Sequence, residues 1–236
     1  MTIHRDLDHL RDQGVLRKVR SGAEARPSVA FEHDVRYREQ LNLPQKEALA
    51  VAALAWVDQR VAIQAIALDD STTTLRLLPL LRSRLPLTVV TNFLPAIEAL
   101  AAEPAARLTA LGGEYNREFA SFNGSAVVSA LAELHYDVVF LSGPAVANGT
   151  LFHASRSAAD VKVAFMGSAE LRVLMVDSTK FRRRAVHRIA PLRDFDVVVT
   201  DDRIRPDELD ELHSSGAEVV VTSIEGSAPA DGQDRG

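Results

Sequence analysis

Six consecutive polar residues, Asp69-Asp70-Ser71-Thr72-Thr73-Thr74, follow the apolar run Ala65-Ile66-Ala67-Leu68 and lead into Leu75-Arg76-Leu77-Leu78. The spacing after them predicts a helix over 73–82, so hydroxyls and backbone N–H groups would gather at its N-terminus, a setting that attracts phosphate or another anion. Asp, Ser and Thr are also the residues that any helix start uses as a cap. The carboxylates repel a phosphate unless they accept hydrogen bonds from sugar hydroxyls instead. Capping and ligand binding are compatible roles for this loop.

A second concentration lies at the amino terminus. Ile3, Leu7 and Leu10 fall on one face of a short amphipathic helix, with Gly14 as a natural C-cap. Its polar face carries Thr2, His4, Arg5 and His9, and the strand-like stretch 15–20 that follows carries Arg17, Lys18 and Arg20 before a turn at 21–23. A helix followed by a basic β-wing is how winged helix-turn-helix proteins read a major groove and clamp phosphates. The competing reading is a solvated terminal helix with a charged hairpin, since Asp6, Asp8 and Asp12 repel a phosphate backbone.

Other chemistry is thin. The basic cluster Phe181 to Arg188 could neutralise a phosphate, but without interleaved aromatic residues it reads better as a solvated surface or subunit contact. The histidines at 4, 9, 33, 135, 153, 187 and 213 form no i, i+4 pair and no HExxH, so no metal site is expected. His153 lies where it could face a pocket, although a lone histidine is more often structural. No GxSxG or Walker sequence occurs, and no cofactor is expected. The absence of cysteine excludes disulfides and thiolate chemistry.

Positioning these groups falls to a chain of 236 residues, 47% hydrophobic and 25% charged, enough for one substantial core and a small appendage. Twenty-seven Lys+Arg against 32 Asp+Glu leave a net charge of −5, so any nucleic-acid surface must be local. Apolar runs such as Ala48 to Val57 are too short to span a bilayer and no signal-peptide pattern is present, so a cytoplasmic protein is expected. Short β-branched runs at 61–66, 87–90, 136–141, 171–176, 196–200 and 218–222 read as buried strands. Helix-period stretches at 45–57, 73–82, 95–102, 125–134, 158–166 and 206–213 separate them. Strands alternating with helices imply right-handed crossovers, hence an α/β fold with a mainly parallel sheet and helices on both faces.

The segment from Thr2 to Ala23 resembles the recognition helix and wing of the DeoR-type bacterial transcriptional regulators, with His4 where that family usually has Arg and Ser21 where it often has Gly. Further segments follow in register: the loop from Leu68 to Leu75, Leu87 to Asn92, Leu111-Gly112-Gly113-Glu114-Tyr115, Ser121-Phe122-Asn123-Gly124, Phe140 to Gly143, Val161-Lys162 with Met166, and Val176 to Phe181. The family's first winged helix-turn-helix helices precede this sequence, so residues 1–26 are expected to be a partial DNA-binding domain. Either translation starts upstream or DNA binding has been lost. Residues 27–44 are expected as a linker, 45–223 as a sensor domain, and 224–236 as a disordered tail.

The resemblance implies a ribose-phosphate-isomerase/CoA-transferase-like sensor domain that binds a phosphorylated sugar or related metabolite. It implies effector contacts from Asp69, Ser71, Thr72, Thr73, Asn92, Gly112, Gly113, Lys162 and Lys180, and operator DNA contacts from Thr2, His4, Arg5, Arg17, Lys18 and Arg20. Asp70 and Ser71 replace a smaller pair common in the family, Ala158-Ala159 stands near a usual Glu-Ala, and the loop 144–149 lacks an aspartate often found there, so the effector is expected to differ from the family's usual ones. A homo-oligomer is expected because paired helices read symmetric operators. The expected function is a metabolite-responsive repressor and not an enzyme; the alternatives are a ligand-binding remnant without DNA binding and a sugar-phosphate isomerase-like enzyme.

Overall fold

The protein is described from a computed structural model covering residues 16–19, 22–25 and 35–224. Strands β1 (Leu16–Val19) and β2 (Gly22–Ala25) form an antiparallel hairpin in which Val19 faces Gly22 and Leu16 faces Ala25. Arg17 and Lys18 lie on β1, while Thr2, His4, Arg5 and Arg20, together with the tail beyond residue 224, fall outside the described residues. Within the stretch expected as a linker, α1 (Val35–Gln40) runs to Asn42, whose left-handed backbone (φ 52°) turns the chain into α2 (Leu43–Asp58). Asparagine tolerates that conformation better than most residues.

The body is a seven-stranded sheet in the order β14-β13-β11-β8-β3-β4-β5, every neighbouring pair parallel. Its strands are β3 (Ala65–Leu68), β4 (Leu87–Thr91), β5 (Ala106–Ala110), β8 (Tyr136–Leu141), β11 (Ala169–Met175), β13 (Val197–Asp201) and β14 (Glu218–Thr222). Side chains alternate across it: Val138 and Phe140 face one core, Val139 and Leu141 the other. Leu49, Ala53, Leu54 and Val57 of α2 cover the first face, together with Leu77, Leu81 and Leu100. Helices α5 (Ser125–Ala132), α6 (Arg156–Gly167) and α7 (Pro206–Ser214) cover the second through Val127, Leu131, Phe165 and Leu212. Burial on both faces explains why the strands read as continuous apolar runs.

The expected helix over 73–82 is a 3₁₀ turn (Thr74–Leu77), a four-residue helix α3 (Leu78–Leu81) and a second 3₁₀ turn (Arg82–Arg84). Pro79 lacks the N–H that a continuous α-helix would require there. Helix α4 (Leu94–Ala101) then joins β4 to β5. Two smaller sheets cap the same end of the molecule: the hairpin β6 (Glu114–Asn116) with β7 (Ser121–Asn123), and the antiparallel set β9 (Ala145–Ala147), β10 (Thr150–His153) and β12 (His187–Pro191). Asn148 and Gly149, both at positive φ (48° and 61°), make the two-residue turn between β9 and β10, as the twist of a tight hairpin demands.

Candidate functional site

The chain travels from β3 outward through β4 to β5, then returns to the other side of β3 to lay down β8, β11, β13 and β14. The reversal leaves a topological switch point between β3 and β8, and the loops at the carboxyl ends of these strands diverge there. A cavity of about 300 Å³ opens at that place. Its walls come from the loop after β3, the loop after β8, the end of β10, the segment after β11, and helices α1, α2 and α6.

Lys162 forms the floor. It sits on α6 with 2% exposure, and its Nζ donates to Asp69 Oδ2 at 2.6 Å and to Asp70 Oδ1 at 2.7 Å. Asp69 also accepts from the Ser142 backbone N–H (2.8 Å), the Ser71 N–H (3.1 Å) and Thr74 Oγ1 (3.1 Å), tying β3 to β8. Asp70 accepts from Ser121 Oγ at 2.9 Å, and Ser121 in turn receives Asn123 Nδ2 at 3.0 Å. Burial alone would raise the Asp70 carboxyl, but the Lys162 ammonium outweighs it and holds Asp70 well below the usual carboxylate range. Burial likewise acts to lower Lys162, and its two carboxylates more than reverse that, so its pKa is raised. The floor is therefore a locked ion cluster in which Lys162 and Asp70 hold each other charged.

The opposite wall is basic. Lys46 of α2 donates to Thr72 Oγ1 at 2.9 Å and to the Arg38 carbonyl, and burial with nearby cations pushes it down to about 7. Lys180, in the 3₁₀ turn Ser178–Arg182 after β11, lies 3.9 Å from Asp177 Oδ2, and burial lowers it too. Asn42 Nδ2 donates to Asp177 Oδ1 (3.3 Å) and Thr179 Oγ1 (3.4 Å), joining the α1–α2 corner to that turn. Arg38 reaches the Phe119 carbonyl at 3.3 Å, and its guanidinium stands 5.5 Å from the centre of the Phe119 ring. Of the basic cluster Phe181 to Arg188, Arg182, Arg183 and Arg184 line the cavity, with Arg182 and Arg184 exposed and Arg182 paired with Glu208 at 3.2 Å. His153 packs edge-on against Phe119, with ring centres 5.1 Å apart, and its Nδ1 accepts from the Ser155 N–H at 2.9 Å. Burial and Lys162 push its pKa down to about 4, so it is neutral at pH 7.

Of the residues expected at the site, Ser71, Thr72, Thr73, Lys162 and Lys180 line the cavity, and Asp69 lies directly beneath it as the anchor of Lys162. Asn92, Gly112 and Gly113 do not line it. Asn92 is buried and donates to the Phe122 carbonyl at 2.7 Å. A Cβ on Gly113 would stand 2.5 Å from the Asn123 carbonyl oxygen, so this glycine serves a close backbone approach under the β6–β7 hairpin. Ser71 and Thr74 are spent on the turn itself, with the Thr74 N–H donating to Ser71 Oγ at 3.0 Å, which matches the capping role of this loop. The sequence did not single out Arg38, Asn42 or Lys46. For Lys46 a signal existed: it shares an apolar helical face with Leu49, Ala50, Ala53 and Leu54, where an unexplained charge is unusual. Among the described residues, no group of three or more His, Asp or Glu could hold a metal.

A parallel sheet with a charged cavity at its switch point is the build of a domain that binds a small charged molecule. Residues 41–202 match the family described as the DeoR C terminal sensor domain. The uncharacterized HTH-type transcriptional regulator YgbI of Escherichia coli strain K12 is 32% identical over 202 residues, covering 86% of this chain and 78% of that protein. The lactose phosphotransferase system repressor of Lactococcus lactis subsp. lactis is 28% identical over 215 residues, covering 90% and 83%. Ribose 5-phosphate isomerase A from Neisseria gonorrhoeae overlays with a TM-score of 0.39 at 15% identity, covering 58% of this chain and 54% of that enzyme, about half its length. The chain belongs to the DeoR family of transcriptional regulators. No helix among the described residues is long and apolar enough to cross a membrane.

Proposed function

We propose that the protein is an effector-responsive repressor whose cavity takes a phosphorylated sugar or a closely related metabolite. The observation that carries this reading is the polarity of the cavity: cations from Lys46, Lys180 and the Arg182–Arg184 segment on one wall, and the Asp70–Lys162 cluster with neutral His153 on the floor. A phosphate suits the first, because lysine and arginine present charge-assisted donors. Ring hydroxyls suit the second, since Asp70 accepts and Lys162 donates within one small area. The repressor role is carried over from the Lactococcus relative's name. Operator contacts fall to the segment holding Thr2, His4, Arg5, Arg17, Lys18 and Arg20, and a homo-oligomer supplies paired copies of it.

We assign no catalysis to the cavity. Isomerisation needs a base held near the substrate carbon, a role for which the two carboxylates of the cavity floor are unsuited. Asp70 is held strongly ionised by Lys162, and Asp69 is saturated by four donors. The test is calorimetric titration of the protein with a hexose 6-phosphate and a pentose 5-phosphate, each beside its unphosphorylated sugar. Saturable binding confined to a phosphorylated member supports the reading; equal affinity for the unphosphorylated partner removes it.

A further inference from the structure

We propose that Lys46 is the anion-sensing residue of this cavity: it contacts the effector's anionic group and takes up a proton as that group arrives. The inference rests on reading the cavity as an anion site, and adds to it a residue and a linkage.

Lys46 stands apart from the other cavity lysines in its partners. Lys162 is neutralised by two carboxylates and Lys180 faces Asp177 at 3.9 Å. The acceptors of Lys46 are both neutral, the Thr72 hydroxyl and the Arg38 carbonyl, and it pairs with no carboxylate among the described residues. It is nonetheless 4% exposed. The charged groups facing it are Arg38 from α1, Arg76 from the turn after β3, and Lys180 and Asp177 from the segment after β11. Three of these four are cations, and the single carboxylate does not offset them. An ammonium buried among cations is disfavoured until an anion joins it, and burial with those cations pushes the Lys46 pKa down to about 7. A dianion placed against Lys46 and Lys180 reverses the balance, and the lysine binds a proton from solvent. Lys46 also spans from α2 to Arg38 of α1, so the same event bears on the corner that joins the sensor body to the amino-terminal segment.

Inorganic sulfate is the probe, because it has no titratable proton near neutrality. The full chain is titrated by calorimetry at pH 6.5 and pH 8.5 at constant ionic strength. A lysine of pKa about 7 that must be charged in the complex weakens binding roughly 25-fold between these values. Lys46→Arg stays charged across the range, so it binds sulfate with that factor removed; any slope left belongs to Lys180. Lys46→Gln keeps a donor for Thr72 without a charge, and should bind at pH 6.5 no more tightly than the wild type does at pH 8.5. Wild-type and Lys46→Arg proteins with the same pH slope would overturn the role of Lys46 while leaving the anion site standing. Failure of sulfate to bind the wild type at either pH, or undiminished binding by Lys180→Ala, would instead overturn the anion site itself.

Discussion

Replacing Lys162 by methionine removes the one cation of the cavity floor while keeping most of its apolar stem. Two buried carboxylates then lose their shared counter-charge. Asp69 retains the Ser142 and Ser71 N–H groups and Thr74 Oγ1, but Asp70 keeps Ser121 Oγ as its hydrogen-bond donor. Removing one partner of a buried ion cluster costs about 3–5 kcal/mol, and the greater part should fall on Asp70. Without Lys162, burial outweighs the remaining influence of Arg38 and His153 and raises its pKa above the unfolded value, so the folded variant binds a proton that the unfolded chain does not. Stability of the variant therefore recovers as pH falls, by up to about 1.4 kcal/mol per unit. In the wild type Asp70 is already held far below the usual range, so it contributes no such slope between pH 7.5 and 5. Urea denaturation at those two pH values is the assay, with Asp70→Asn/Lys162→Met as the companion that removes the stranded charge and restores part of the loss. A Lys162→Met protein within about 1 kcal/mol of wild type, or one whose deficit is the same at both pH values, would refute the buried cluster.

Two further outcomes follow from the same structure. Gly113→Ala should destabilise by about 1–3 kcal/mol, because its Cβ would meet the Asn123 carbonyl at 2.5 Å and Val127 Cγ2 at 2.7 Å, whereas Gly112→Ala meets nothing within 4 Å and should be close to neutral; equal urea midpoints for the two would discount the close approach. By proton NMR the His153 ring should titrate near pH 4, below the unfolded value of 6.5, so stability falls as pH drops from 6.5 towards 4; a ring midpoint above 6 would contradict its burial against Phe119 and Lys162.

The parallel α/β class was legible because doubly buried strands leave uninterrupted β-branched runs. The stretches 136–141 and 218–222 are strands over their full expected length. The run at 61–66 was less faithful. Pairing with β4 and β8 begins at Ala65 and Ile66, and Asp137 Oδ2 takes the N–H groups of Gln64 and Ala65, so Val61 to Ile63 remain outside the sheet. Pro79 carried a warning that the apolar period after Thr73 masked, and with the long helix went the dipole that would have drawn an anion to its start. Asn148-Gly149 between short apolar runs was a hairpin signal that went unread.

At the site, Lys162 and Lys180 came from the family resemblance, since nothing in their local spacing shows that one is buried against two aspartates. Arg38 and Asn42 were out of reach for a different reason. Their place at the cavity depends on α1 folding back over the carboxyl ends of the strands, and no local pattern encodes that contact. Lys46 alone left a trace, as a charge on an apolar helical face.

On the proposed function, occupancy of this cavity governs DNA binding. This link is tested most directly by following operator release on addition of a phosphorylated sugar that binds, in wild-type protein and in Lys180→Ala, at fixed salt. Release is expected in the wild type, and in the variant an operator affinity within a few fold of wild type with release abolished. Release that survives Lys180→Ala unchanged, or operator binding and release lost together, would contradict the proposed function.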